Sequence, residues 1–270
     1  MDHWGDRRGT EDTDAALRAA LITAASGDRE GLVDLYRIAG PALFDLCRRA
    51  LGDRAVAEAV LAETMLRAWR EAGRLVKLEA SPAAALVALA RDCAIERGAR
   101  PGAGIALDAG GAAAAGDEAL VEAAYLWRLP YAELALHAGL PVEAVKSRVR
   151  RALLPDATGA TERPLADDYD DILAAEYVLG LLDSREIASF DARLGRDHRL
   201  RLRLACWHDR LGHGAWRDGE TPPPAVWAAI VGRLPAGPFA PFLRAVKAIR
   251  PGAMLAGWRA PPPRPDALRG

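Results

Sequence analysis

Apolar residues recur along most of this chain at spacings of three and four, the period of helices with one buried face. No stretch alternates as a half-buried strand requires. Residues 1–14 carry five acids and read as a flexible leader, with Asp14 placed to cap a helix from Ala15 to Ala25. Gly31 to Leu51 follows, with Leu32, Leu35, Tyr36, Ala39, Leu43, Leu46 and Ala50 on one stripe. Pro41 falls inside that run and is expected to kink or split it. Asp53 opens a third helix, Arg54 to Ala72, carrying Val56, Val60, Met65, Leu66 and Trp69. Ser81-Pro82 is a start signal for a fourth, whose buried face is Leu86, Leu89, Ala90, Cys93 and Ala94. Residues 15–98 therefore read as a four-helix bundle.

A Gly/Ala linker covers 99–117, and a helix resumes at Glu118 to Leu129. Tyr131 to Leu153 then reads as two short helices around Gly139, a residue free to take the left-handed turn between them. Pro141 suits the first turn of the second helix. Val142, Val145, Val149 and Leu153 form that helix's apolar stripe, with Lys146, Arg148, Arg150 and Arg151 largely off it. Four bases against Glu143 give Pro141 to Leu154 a net charge of +3. The unit at 118–154 is a helix-turn-helix whose second helix suits phosphate and base-edge contact; an ordinary surface hairpin is the plain alternative. A second linker spans 155–166. The last helical unit covers 167–235: a run from Asp167 to Leu182, a capping box at Asp183 and Glu186, a helix over Asp197 to Leu211, and one after Thr221-Pro222-Pro223-Pro224. Residues 236–270 read as a short helix, Pro238 to Ile249, and a basic Pro-rich tail. The fold class expected is all-α.

Charge is segregated rather than balanced. The formal net of -1 hides an acidic stretch, Asp167 to Asp191, and a basic one, Arg244 to Arg269. An acidic segment and a basic helix in one chain can meet each other. Cys47, Cys93 and Cys206 are odd in number and far apart, which reads as a reduced, cytoplasmic protein. No 18-residue apolar run marks a membrane span, because Arg244, Lys247 and Arg250 interrupt the moderately apolar Pro238–Trp258. Cys206, His208 and His213, with His198 upstream, are close in sequence but lack the second thiolate a structural zinc site favours, so neither metal nor cofactor is expected. No phosphate loop, nucleophile elbow or histidine–carboxylate pattern marks an enzyme.

With those pieces placed, the chain resembles two families. LYRIAGPALFDLCRRALGDRAVAEAVLAETMLRAWREA, residues 35–72, is similar to region 2 of extracytoplasmic-function (ECF) sigma factors, and ETMLRAW to its polymerase-binding helix. SPAAALVALARDCAIERGAR resembles the following helix, which in the family melts and reads the −10 element. Tyr131 to Leu153 resembles region 4, which reads the −35 element. Residues 171–211, together with PPPAVWAAI, resemble the cytoplasmic domain of anti-sigma-K-type factors, in a zinc-free form. Three departures stand out. The −10-reading helix lacks the family's tryptophan near Ala84–Ala85, has Asp92 where the family has an asparagine, and the front of region 4 is replaced by the Ala/Gly linker.

The resemblance implies RNA polymerase core and promoter DNA as partners. It places DNA contact on Lys146, Ser147, Arg148, Arg150 and Arg151, with Arg91 and Arg97 on the −10 helix, and polymerase contact on Glu63, Thr64, Arg67 and Trp69. The anti-sigma-like unit would cover these faces through Tyr177, Val178, Leu179, Leu181 and Leu182, with the Asp167–Asp171 acids near the basic helix. The expected function is a transcription regulator: a sigma factor inhibited in cis by its own anti-sigma domain. The alternative is a sigma-like protein that no longer initiates and acts as a binding or anti-sigma protein; a carboxylate at Asp92, repulsive to a nucleic-acid backbone, favours it.

Overall fold

The computed structural model describes residues 7–99, 116–153 and 166–234. Those residues are all-α and form eleven helices: α1 (Arg7–Ala25), α2 (Arg29–Leu51), α3 (Arg54–Leu75), α4 (Pro82–Glu96), α5 (Asp117–Trp127), α6 (Tyr131–Ala138), α7 (Val142–Leu153), α8 (Ala166–Leu179), α9 (Ser184–Leu194), α10 (His198–Ala215) and α11 (Pro224–Arg233). Helix starts follow local chemistry. Asp28, Asp53, Ser81 and Asp197 each accept a backbone N–H of the first turn, and Asp183 with Glu186 closes a full capping box. Gly139 ends α6 in the left-handed conformation, at φ 62°.

Several boundaries differ from the sequence expectation. The leader is helical from Arg7 onward. Asp14 lies inside α1, and its Oδ1 accepts the Ala83 N–H at 2.9 Å, so it caps α4 and not its own helix. α2 runs unbroken through Pro41. α8 stops at Leu179, because Gly180 turns left-handed at φ 78°. α10 continues past Leu211 to Ala215. The expected helix over Pro238–Ile249, the basic tail and both linkers' interiors lie outside the described residues.

α1 to α4 pack on one another as a bundle, and α5 to α7 form a second cluster. α10 packs on α8 and, across the chain, on α4; α11 packs on α3; α8 also touches α5 and α7. α4 is accordingly buried all round. Ala83, Ala84, Ala85, Leu86, Val87, Ala88, Leu89, Ala90, Arg91, Cys93 and Ala94 are all inaccessible. A helix apolar on every side needs neighbours on every side, and α10 supplies the outer one. The approach is close: a Cβ added at Gly212 would stand 2.5 Å from the Cβ of Ala84. Residues 216–223 then cross the first bundle. Arg217 pairs with Glu122 at 2.9 Å. Glu220 takes Arg48 at 2.7 Å and Arg54 at 2.9 Å. Trp227 of α11 lies against Tyr36 of α2, ring centroids 5.0 Å apart. Among the described residues, no helix is long and apolar enough to cross a membrane.

Candidate functional site

The basic helix α7 keeps its stripe inward: Val145, Val149 and Leu153 are buried. Its cations are largely taken. Arg148 Nε and Arg151 Nε donate to the two oxygens of Asp117, each at 2.7 Å. Burial opposes the charge on Asp117, but the hydrogen bonds from Arg148 and Arg151 hold its carboxyl below the usual range. Arg150 donates to Glu176 of α8 through Nε at 2.7 Å and Nη2 at 3.2 Å. The same carboxylate accepts the Tyr131 hydroxyl at 2.7 Å. Glu176 is 2% exposed, so a buried acid of the C-terminal unit holds both helices of the hairpin. Lys146 lies over the Tyr131 ring at 5.7 Å. Ser147 remains exposed, and the Arg151 side chain is 70% exposed despite its ion pair. Arg210 of α10 closes the other end of α7, donating to the Leu153 carbonyl at 3.1 Å.

The acids expected near this helix are spent elsewhere. Asp170 pairs with Arg193 at 2.6 Å and Asp171 with Arg203 at 3.7 Å, both within the C-terminal unit. Side chains of Asp167 and Asp168 lie outside the described residues.

On α4 the two expected DNA contacts part company. Arg97 is exposed at the helix C-cap. Arg91 is 0% exposed: its guanidinium donates to Asp92 at 3.0 Å and stacks over the Tyr125 ring at 4.8 Å. In this conformation Arg91 reaches no nucleic acid, because its helix face is covered by α5 and α10.

The expected polymerase face on α3 is likewise engaged. Glu63 is ion-paired with Arg233 of α11 and, at 2.7 Å, with Arg70. The hydrogen bond from Arg233 is the largest influence holding its carboxyl below the usual range. Thr64 is buried and donates back to the Val60 carbonyl at 2.8 Å. Arg67 pairs with Glu71 and Glu96, not with Glu63. Trp69 packs partly buried against the core.

Tyr177, Val178, Leu179, Leu181 and Leu182 are all buried. Tyr177 is turned into its own unit: it stacks on Phe190 at 4.5 Å and donates to Asp191 at 2.8 Å. Its neighbour Glu176 makes a polar link to the hairpin.

Two polar clusters at the joints were not foreseen. In one, α10 meets the start of α4. Asp209 accepts the Ser81 N–H at 2.6 Å; His213 Nε2 lies 3.0 Å from Asp14 and 3.3 Å from the Ser81 hydroxyl. The hydrogen bond to Asp14 raises the His213 pKa above its ordinary value, and burial raises that of Asp209. In the other, Asp92 stands between Arg91 and Arg128, and His208 lies nearby at 7% exposure. Burial, then Arg91 and Arg128, push the His208 pKa down to about 3, so the ring is neutral. The sequence signal for both was a polar side chain among apolar ones on α4 and α10. Cys206 faces solvent while His208 faces inward and His213 faces Asp14, so these three do not converge. Among the described residues, no group of three or more histidines, cysteines and acids is placed to hold a metal ion.

No protein-family model, curated protein or solved structure matches the chain.

Proposed function

We propose that this protein is a transcription regulator of the ECF sigma type, held inactive in cis by its C-terminal helices. The observation that carries the reading is that one unit, α8 to α11, engages both faces that a sigma factor uses. Glu176 of α8 takes Arg150 of the basic helix, and Arg233 of α11 takes Glu63 of the polymerase-facing helix. The same unit lays α10 along α4, the counterpart of the −10-reading helix. Promoter opening then requires displacement of α8–α11. The test is in vitro transcription from an ECF-type promoter with the full chain and with residues 1–153. The shorter chain is expected to be the more active, and equal activity sinks the brake.

A second reading draws on α4 itself. Asp92 serves as counterion to Arg91 and Arg128, and Ala84 makes room for Gly212. Both positions serve contact with the rest of the chain, as expected of a binding protein that does not initiate. Recovery of polymerase core by the 1–153 chain without promoter opening favours this reading over the first.

A further inference from the structure

The joint between α10 and the start of α4 sets a polar cluster beside a tight contact. Gly212 stands against Ala84 with no space for a Cβ between them. On either side of it in sequence, Asp209 and His213 turn to the residues that open α4. Asp209 Oδ1 accepts the Ser81 N–H at 2.6 Å. The Ser81 hydroxyl accepts the Ala84 N–H at 3.2 Å. Asp14 of α1 accepts the Ala83 N–H on Oδ1 at 2.9 Å, and its Oδ2 lies 3.0 Å from His213 Nε2. The same ring nitrogen lies 3.3 Å from the Ser81 hydroxyl. The first N–H groups of a helix have no acceptor within it, and here side chains of α1 and α10 supply part of what α4 needs.

The groups facing His213 are Asp14 from α1, the Ser81 hydroxyl from α4, and Asp209 one turn back on α10. Protonated, the imidazole sets a positive charge against both carboxylates. Neutral, it leaves Asp14 and Asp209, each partly buried, beside each other without that charge. The hydrogen bond to Asp14 then changes from charge-assisted to neutral. The His213 side chain is 26% exposed, so its proton exchanges with water while the joint is closed. The bond to Asp14, aided by the charge of Asp209, holds the ring's pKa above its ordinary value. The charge is therefore present below about 6.5 and is lost as pH rises through the raised value.

We propose that His213 is a pH-operated latch for α10: its imidazolium, held by Asp14, keeps α10 docked on the start of α4, and loss of the proton loosens that joint. The latch stands on this contact alone. Where α8–α11 is the brake of a sigma-type factor, the latch gives that brake an alkaline release, and in that use it rests on the function proposed above.

The experiment is amide exchange of the full chain from pH 6 to 8.5, each rate divided by its intrinsic value at that pH. The amides of α10, with Ala83 and Ala84, are expected to open before those of α2. Their opening is expected to rise about fivefold across the range, the difference between a charge-assisted and a neutral hydrogen bond. His213→Gln keeps a donor toward Asp14 and removes the titration, so its opening is expected to stay level. Asp14→Asn keeps an acceptor for the Ala83 N–H and removes the charge that holds the proton, so its rise is expected at lower pH. Opening that is level with pH in the wild type overturns the proposal, as does an equal rise in His213→Gln. A rise shared by α2 and α10 in one common opening overturns the latch as a local device. Transcription by residues 1–153 tests the brake in a chain without His213, so the latch and the brake can fail separately.

Discussion

Two histidines one and a half turns apart on α10 stand in opposite environments. His208 is buried and neutral, its pKa lowered to about 3. The unfolded chain takes up that proton near 6.5 and the folded chain does not, so stability is full above 6.5 and falls as pH falls toward 3. Each pH unit in that window removes up to about 1.4 kcal/mol. His213 has a raised pKa through Asp14, so its contribution is full below 6.5 and is lost as pH rises through the folded value. Replacing His208 by Gln is expected to flatten the acid limb of the melting temperature between about pH 4 and 6.5, while His213→Gln is expected to lower the melting temperature at pH 6 more than at pH 8. Melting curves across pH for the two variants separate the effects; an unchanged acid limb in the His208 variant refutes the first. At this scale the sequence was informative about residue type and poor about direction. Lys146, Arg148, Arg150 and Arg151 were legible as the cations of one helix, but the arginines' partners Asp117 and Glu176 are set by which helices meet, which spacing does not encode. Arg91 misleads for the same reason: a basic residue on a predicted surface becomes interior once another helix covers that surface.

At the scale of elements, α4 is where the reading from periodicity falls short most usefully. All eleven described helices were anticipated, because capping residues, Gly and Pro punctuate them locally. One buried face was assigned to α4, yet its sequence PAAALVALARDCAIE offers no polar face at all before Arg91. That absence is the signal for a second covering helix, here α10. Small residues on both sides set the contact. Gly212 leaves no room for a Cβ against Ala84, and the resemblance to sigma factors puts a tryptophan near this position. Restoring it tests the packing directly. Ala84→Trp is expected to drive α10 off α4 and cost about 1–3 kcal/mol or more through overpacking, with faster amide exchange over α10 and residues 216–223. Gly212→Ala is expected to produce a milder form of the same loss. Exchange rates on α10 unchanged by Ala84→Trp would mean that α10 does not need this contact.

For the whole molecule, the question is how firmly α8–α11 holds the rest. Its cross-chain ion pairs are partly open to solvent: Arg233 and Glu63 are 52% and 39% exposed, and Arg48 and Glu220 46% and 44%. Such pairs contribute ~1 kcal/mol or less each. The contact of α10 with α4 includes the close approach of Gly212 to Ala84, and interfaces between domains of one chain resemble transient protein–protein contacts. The tether matters more than any of these. Residues 154–165 join α7 to α8, a short covalent link between the two parts. It therefore keeps the two parts at an effective concentration near the millimolar range. An interaction with a dissociation constant of ~10 μM is then almost fully engaged in the intact chain and mostly dissociated once the tether is cut at ~1 μM protein. Introducing a protease site within 154–165 is expected to leave a protein that sediments as one particle at ~100 μM and as two at ~1 μM, while the uncut chain behaves alike at both. Cut halves that stay together at the lower concentration would place the strength in the interface and not in the tether, and a single cleavage would then be no route to release.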